Sequence, residues 1–103
     1  MGLSFVEEKD QKGAAVIFLY DGREMQRQKL DRIKSEIEQR GSQVYLLSTE
    51  DEDGEEVRDF YDIDAEQMPA GLIVRDNDEV VALWYDQMIP PVDQIIYQLD
   101  QVG

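Results

Sequence analysis

Apolar residues in this chain come in short runs separated by charged stretches, and the spacing within the runs changes along the sequence. Ala15-Val16-Ile17-Phe18-Leu19-Tyr20 is continuous, short and partly β-branched, the pattern of a strand buried on both faces. Asp21-Gly22-Arg23-Glu24 follows at once; Asp21 reads as an N-cap, and Glu24 completes a capping box with it. Leu30, Ile33 and Ile37 then recur at helical spacing, with Met25 near the start and charges of both signs on the outer face. Gly41 takes the C-cap position, so the pattern predicts a helix of about 17 residues. Gln43-Val44-Tyr45-Leu46-Leu47-Ser48 reads as a second buried strand. A strand, a long helix and a strand in this order imply a parallel crossover.

After the most acidic stretch, Thr49 to Glu56, a short helix is predicted with Asp53 as its cap and Val57, Phe60 and Tyr61 on its inner face. Met68-Pro69-Ala70-Gly71 opens a third strand, Leu72-Ile73-Val74-Arg75. Asp76-Asn77-Asp78 is a turn, and Glu79 to Tyr85 is a fourth strand, which makes the pair an antiparallel hairpin. Alternation sets Val80, Ala82 and Trp84 on one face and Val81, Leu83 and Tyr85 on the other. Pro90-Pro91 starts the last helix, which carries Val92, Ile95, Ile96, Leu99 and Val102 as one apolar stripe. At the other end, Leu3, Phe5 and Val6 precede a polar stretch closed by Gly13. The reading is an N-terminal arm or short strand over residues 1–13 and one domain over 14–103, ordered β-α-β-α-β-β-α.

That order, with Met68-Pro69 just before Leu72-Ile73-Val74, followed by Asp76-Asn77-Asp78-Glu79 and Val80-Val81-Ala82, resembles the thioredoxin fold from Ala14 to the C-terminus. Phe60-Tyr61-Asp62-Ile63 is similar to the tyrosine-containing end of that family's second helix. The resemblance implies an α/β domain with a central mixed four-stranded sheet flanked by helices, an optional extra N-terminal strand, and a cis-proline at Pro69. It also places the family's redox pair between the first strand and the first helix. The matching stretch here is Tyr20-Asp21-Gly22-Arg23, and the whole chain contains no cysteine, so thiol–disulfide exchange is excluded by chemistry.

One property of the family survives loss of the cysteines. Its proline loop offers the backbone of the preceding residue to an extended peptide, which pairs with it in strand fashion. Carried over, Met68 would supply those groups and a soft, adaptable side chain. Tyr20, Asp21 and Arg23 would lie opposite, beside Met68, Pro69 and Tyr61. The plainer alternative is that Pro69 shapes a turn and Met68 packs locally. Cysteine-less relatives of this fold include accessory chaperones and maturation factors for metalloenzymes, so the resemblance implies a binding or assembly role.

Composition changes this picture in three ways. First, 103 residues with 42% hydrophobic content suit one globular domain. No apolar run approaches the roughly 18 residues of a membrane span, and Met1 to Val6 lacks the start of a secretory signal. A soluble, cytoplasmic protein is the expectation, and the absence of cysteine fits a reducing compartment. Second, a formal charge of −14, from 24 carboxylates against ten cations, argues against nucleic acid and anionic membranes as partners. Partners should be basic or neutral proteins or peptides, or cations; the same acidity also suits solubility or a saline habitat. Third, no histidine is present, so no imidazole can shuttle protons near neutral pH.

No catalytic residues, metal ligands or cofactors are assigned. The carboxylates cluster where water reaches them, whereas acid–base pairs require one buried carboxyl. Asp51-Glu52-Asp53-Gly54-Glu55-Glu56 echoes half of a calcium loop but lacks its first ligand, and its twelfth position falls in the short helix. An acidic, low-affinity cation-binding protein is therefore the alternative to a protein-binding module. A second place to look is Trp84-Tyr85 near Met88 and Ile89, where Trp84 serves either as core or as an anchor for a partner.

Overall fold

The first apolar run becomes an inner strand, β1 (Ala15–Tyr20), with Ala15 to Leu19 fully buried. The structure is a computed structural model that describes residues 14–75 and 79–102. The expected arm over residues 1–13 and the turn at 76–78 lie outside the described residues. β1 pairs in parallel with β2 (Val44–Ser48) and antiparallel with β3 (Ala70–Val74), and β3 pairs antiparallel with β4 (Val80–Tyr85). The sheet is mixed, four-stranded and ordered β2-β1-β3-β4.

Alternation along the inner strands sends two sets of side chains to opposite faces. Ile17, Leu19, Leu72 and Val74 meet Val57 of α2 (Glu52–Phe60), together with Ile63 and Met68. Val16, Phe18 and Ile73 meet Leu30 and Ile37 of α1 (Glu24–Gln39) and Ile95 and Leu99 of α3 (Val92–Val102). Each such Val, Leu, Ile or Phe contributes about 1.5–3 kcal/mol by leaving water, which is why both stripes specify the layering.

Helix starts differ from the sequence expectation. Asp21 does not cap α1: the N-cap is Arg23, without a side-chain cap bond. Gly22, at φ 91°, turns the chain first, and Asp21 Oδ1 accepts the Arg23 N–H at 3.3 Å, just short of the helix. Gly41 does end α1, in the left-handed region at φ 90°. α2 begins before Asp53, with Asp51 at the N-cap and Glu52, Asp53 and Glu55 in the first turn, where the helix dipole favours carboxylates. Phe60 is not an inner residue; it is the last residue of α2 and is 45% exposed, stacked edge-on against Tyr61 at 4.7 Å.

The simple alternation along β4 also fails, for a reason of register. Val74 pairs with Val80, but Ile73 pairs with Ala82, leaving Val81 as a bulged extra residue. Val80 therefore packs on the α2 face with Tyr85, while Ala82 and Trp84 pack on the α1/α3 face. Among the described residues, no helix is long and apolar enough to cross a membrane.

Candidate functional site

The site grows from two segments that are distant in sequence. Before β3, Asp64 caps a single 3-10 turn (Ala65–Gln67): its Oδ1 accepts the Glu66 N–H and its Oδ2 accepts from Gln67 Nε2, both at 2.9 Å. Met68 leaves this turn in an extended conformation, φ −71° and ψ 151°. The Met68–Pro69 peptide bond is cis. After β4, Asp86 starts a second 3-10 turn (Asp86–Met88) with its backbone at φ 46°. Two hydrogen bonds join the segments: Asp86 N–H donates to the Pro69 carbonyl at 2.6 Å, and Asp64 N–H donates to the Tyr85 hydroxyl at 3.2 Å.

Between them lies a shallow depression of ≈ 640 Å³ lined by Met68, Leu83, Trp84, Tyr85, Asp86 and Met88, with Glu66 at its margin. Met68 is only 8% exposed and forms its floor, continuous with the core. Leu83 is 38% and Met88 74% exposed, so two large apolar side chains stand in water here. α2 covers the β1–β2 half of this face, whereas Leu83 lies on β4 at the far edge of the sheet. Among the described residues, neither the Glu66 nor the Asp86 carboxylate has an ion pair or a side-chain hydrogen bond. The depression thus combines apolar contact area with two free negative charges.

The residues singled out from sequence divide into two groups. Met68 and the Trp84–Met88 segment, two separate candidates in the sequence, form one surface. Tyr20, Asp21 and Arg23 do not line it. The β1–β3 register, Leu19 opposite Ala70, brings the end of β1 alongside Pro69, but the Tyr20 side chain packs with the α1/α3 core. Met68 packs on the other face. Asp21 and Arg23 are engaged with each other, Arg23 Nε lying 3.3 Å from Asp21 Oδ2. Tyr61 supports the core near Met68 without reaching the depression. Leu83 and Asp86 are added by the structure; the available signal was the uncharged run from Val80 to Tyr85.

Elsewhere the chemistry is sparse. Among the described residues, no three acidic side chains converge to hold a metal ion. Tyr45, on β2 at the opposite edge of the sheet, has its phenol pKa raised by burial, an effect opposed by a hydrogen bond from Gln43.

Among solved structures, the chain matches the solution structure of a thioredoxin from Thermus thermophilus. The TM-score is 0.55 at 14% identity, over 86% of this chain and 72% of that one. The fold is thioredoxin-like. No family model and no curated protein matches the chain. In this thioredoxin-like domain the loop between β1 and α1, Asp21-Gly22-Arg23, holds an Asp–Arg pair and a glycine turn. With no cysteine in the sequence, the domain cannot carry out dithiol chemistry.

Proposed function

We propose that this chain is a non-catalytic, thioredoxin-like protein-binding module of the accessory or assembly kind. It would take an extended segment carrying apolar and basic residues in the depression beside Met68. The observation that carries the reading is the exposure of Leu83 and Met88 next to the unpaired carboxylates of Glu66 and Asp86. Apolar side chains of the partner would cover Leu83 and the thioether of Met88, a side chain suited to varied shapes. Lysine or arginine would meet the two carboxylates. The net charge of −14 would speed the approach of a basic partner and repel nucleic acid and anionic lipid. No cofactor enters this scheme, and we infer a reducing, cytoplasmic setting.

The test is an amide-shift titration with a synthetic peptide alternating leucine and lysine. Shifts should centre on Met68, Leu83 and Met88. Leu83→Asp and Met88→Asp, both at exposed positions, should each weaken binding about tenfold or more, as loss of an interface anchor does. Shifts confined to α1, or unchanged affinity in both variants, would remove the reading.

A further inference from the structure

β4 is an edge strand: β3 lies on one side of it and, among the described residues, no strand lies on the other. Natural sheets protect such edges with lysine, proline, inward charges or a covering element, because unpaired backbone groups template another strand. β4 reads Val-Val-Ala-Leu-Trp-Tyr and has no charge or proline. Its one protective device is the bulge at Val81, after which Ala82 to Tyr85 run in unbroken register opposite Ile73 to Ala70. Val81 is 42% and Leu83 38% exposed. At the other edge, no apolar residue of β2 reaches that exposure.

We propose that the outer edge of β4 accepts an extended, basic segment of a partner protein as a fifth strand. The segment's backbone pairs along Ala82–Tyr85, and its alternate side chains fall on Leu83 and Met88. The inference rests on the depression being a binding site and adds the backbone mode by which it is occupied.

Charge selects this occupant. Residues 41–103 contain sixteen carboxylates and two arginines. Asp86 and Glu66 flank the C-terminal end of β4, and Glu79, ion-paired with Arg75 at 3.8 Å, flanks its start. A second copy pairing along the same edge would set two strongly acidic surfaces side by side. A basic strand meets the Asp86 and Glu66 carboxylates instead. Like charges directly opposite each other destabilise strand pairs, and opposite charges support them.

The experiment uses the full chain and three synthetic peptides. One alternates valine and lysine; the second is the same peptide N-methylated along one backbone edge; the third replaces lysine by glutamate. The valine–lysine peptide should slow hydrogen exchange within Ala82–Tyr85. N-methylation should weaken its binding about tenfold or more, since it removes the pairing donors, and the glutamate peptide should not bind. Equal binding of the N-methylated peptide would overturn the strand-pairing inference while leaving the depression reading intact. Protection at Val44–Ser48 instead of β4 would overturn it as well. So would β4 protection that appears without peptide, alongside a concentration-dependent dimer in sedimentation. Val81→Lys, at an exposed position outside the depression, should weaken the basic peptide by blunting the edge. Unchanged affinity in that variant would count against edge pairing, whereas Met88→Asp reports on the depression.

Discussion

The main-chain N–H of Asp86 donates to the carbonyl oxygen of Pro69 at 2.6 Å, tying the end of β4 to the residue that precedes β3. Asp86 makes this bond at φ 46°, a left-handed conformation that costs an L-residue roughly 1–2 kcal/mol. Aspartate is among the few non-glycine residues that tolerate it. A second bond, from Asp64 N–H to the Tyr85 hydroxyl, holds the neighbouring turn against the same strand end. Together they bring Met68, as the floor, and Leu83 to one depression, and they leave the Asp86 carboxylate without an ion pair among the described residues. Strain kept at a surface position beside exposed apolar side chains supports the proposed binding site.

Asp86→Gly separates stability from binding. Glycine keeps the N–H that reaches Pro69 and adopts a positive φ without penalty, so the variant should be more stable by up to about 1 kcal/mol in urea denaturation. It also removes a rim carboxylate, so affinity for a lysine-containing peptide should fall. A variant that is both less stable and unimpaired in binding would contradict both roles assigned to Asp86.

Calcium should not saturate a defined site. Glu52, Asp53, Glu55 and Glu56 belong to α2, where successive residues point around the helix rather than inward at a common centre. The ion would need six to eight oxygens at about 2.3–2.6 Å. Titration is expected to give small, unsaturated amide shifts spread over residues 50–59. A saturating curve below about 1 mM, typical of dedicated loops, would restore the cation-binding alternative.

What the sequence shows of this fold is whatever one element settles by itself. Ala15 to Leu19 are apolar because two sheet faces need them, and Leu30, Ile37, Ile95 and Leu99 fall on single helical stripes. The resemblance to thioredoxins located the loop before β3 for the same reason, since proline marks it directly. Features that depend on two elements at once were hidden. The bulge at Val81 is a property of the β3–β4 register, and it moves Val80 to the face opposite the one alternation assigns. Glu52, Asp53 and Glu55 look like a solvated loop because they are exposed, yet the backbone beneath them is helical. The depression itself joins Met68 to Met88 through a hydrogen bond between main-chain atoms, which no side-chain pattern records.

Alkaline titration should reveal Tyr45. Burial raises its phenol pKa above the ordinary value of 10.0, with the hydrogen bond from Gln43 acting the other way. The unfolded chain therefore loses this proton first as pH rises. The stability contribution is complete below the ordinary tyrosine range and is lost progressively as pH climbs from there through the raised value. Urea midpoints should fall across that alkaline window, and Tyr45→Phe should flatten the fall. An identical alkaline slope in the variant would assign the loss to other groups.

Gly54→Ala provides the sharpest test of how α2 sits on the sheet. Gly54 is buried in the first half of a nine-residue helix. Intrinsic propensity alone makes glycine about 1 kcal/mol worse than alanine there, so a helix lying free in solvent would gain from the substitution. The structure reverses the sign. A Cβ on Gly54 would overlap the carbonyl oxygen of Ser48, with the carbonyl carbon and the Thr49 nitrogen close behind. These are main-chain atoms at the end of β2, where Thr49 N–H is already bonded to the Tyr20 carbonyl at 2.8 Å, so they cannot rotate aside as a side chain would. Accommodation requires lifting α2 and, with it, the fully buried Val57. Overpacking of this kind costs about 1–3 kcal/mol or more, which outweighs the propensity gain. Gly54→Ala should therefore lower the urea midpoint, with a net loss of stability of up to about 2 kcal/mol after the gain is subtracted. A stabilised variant would mean that α2 does not rest on the end of β2.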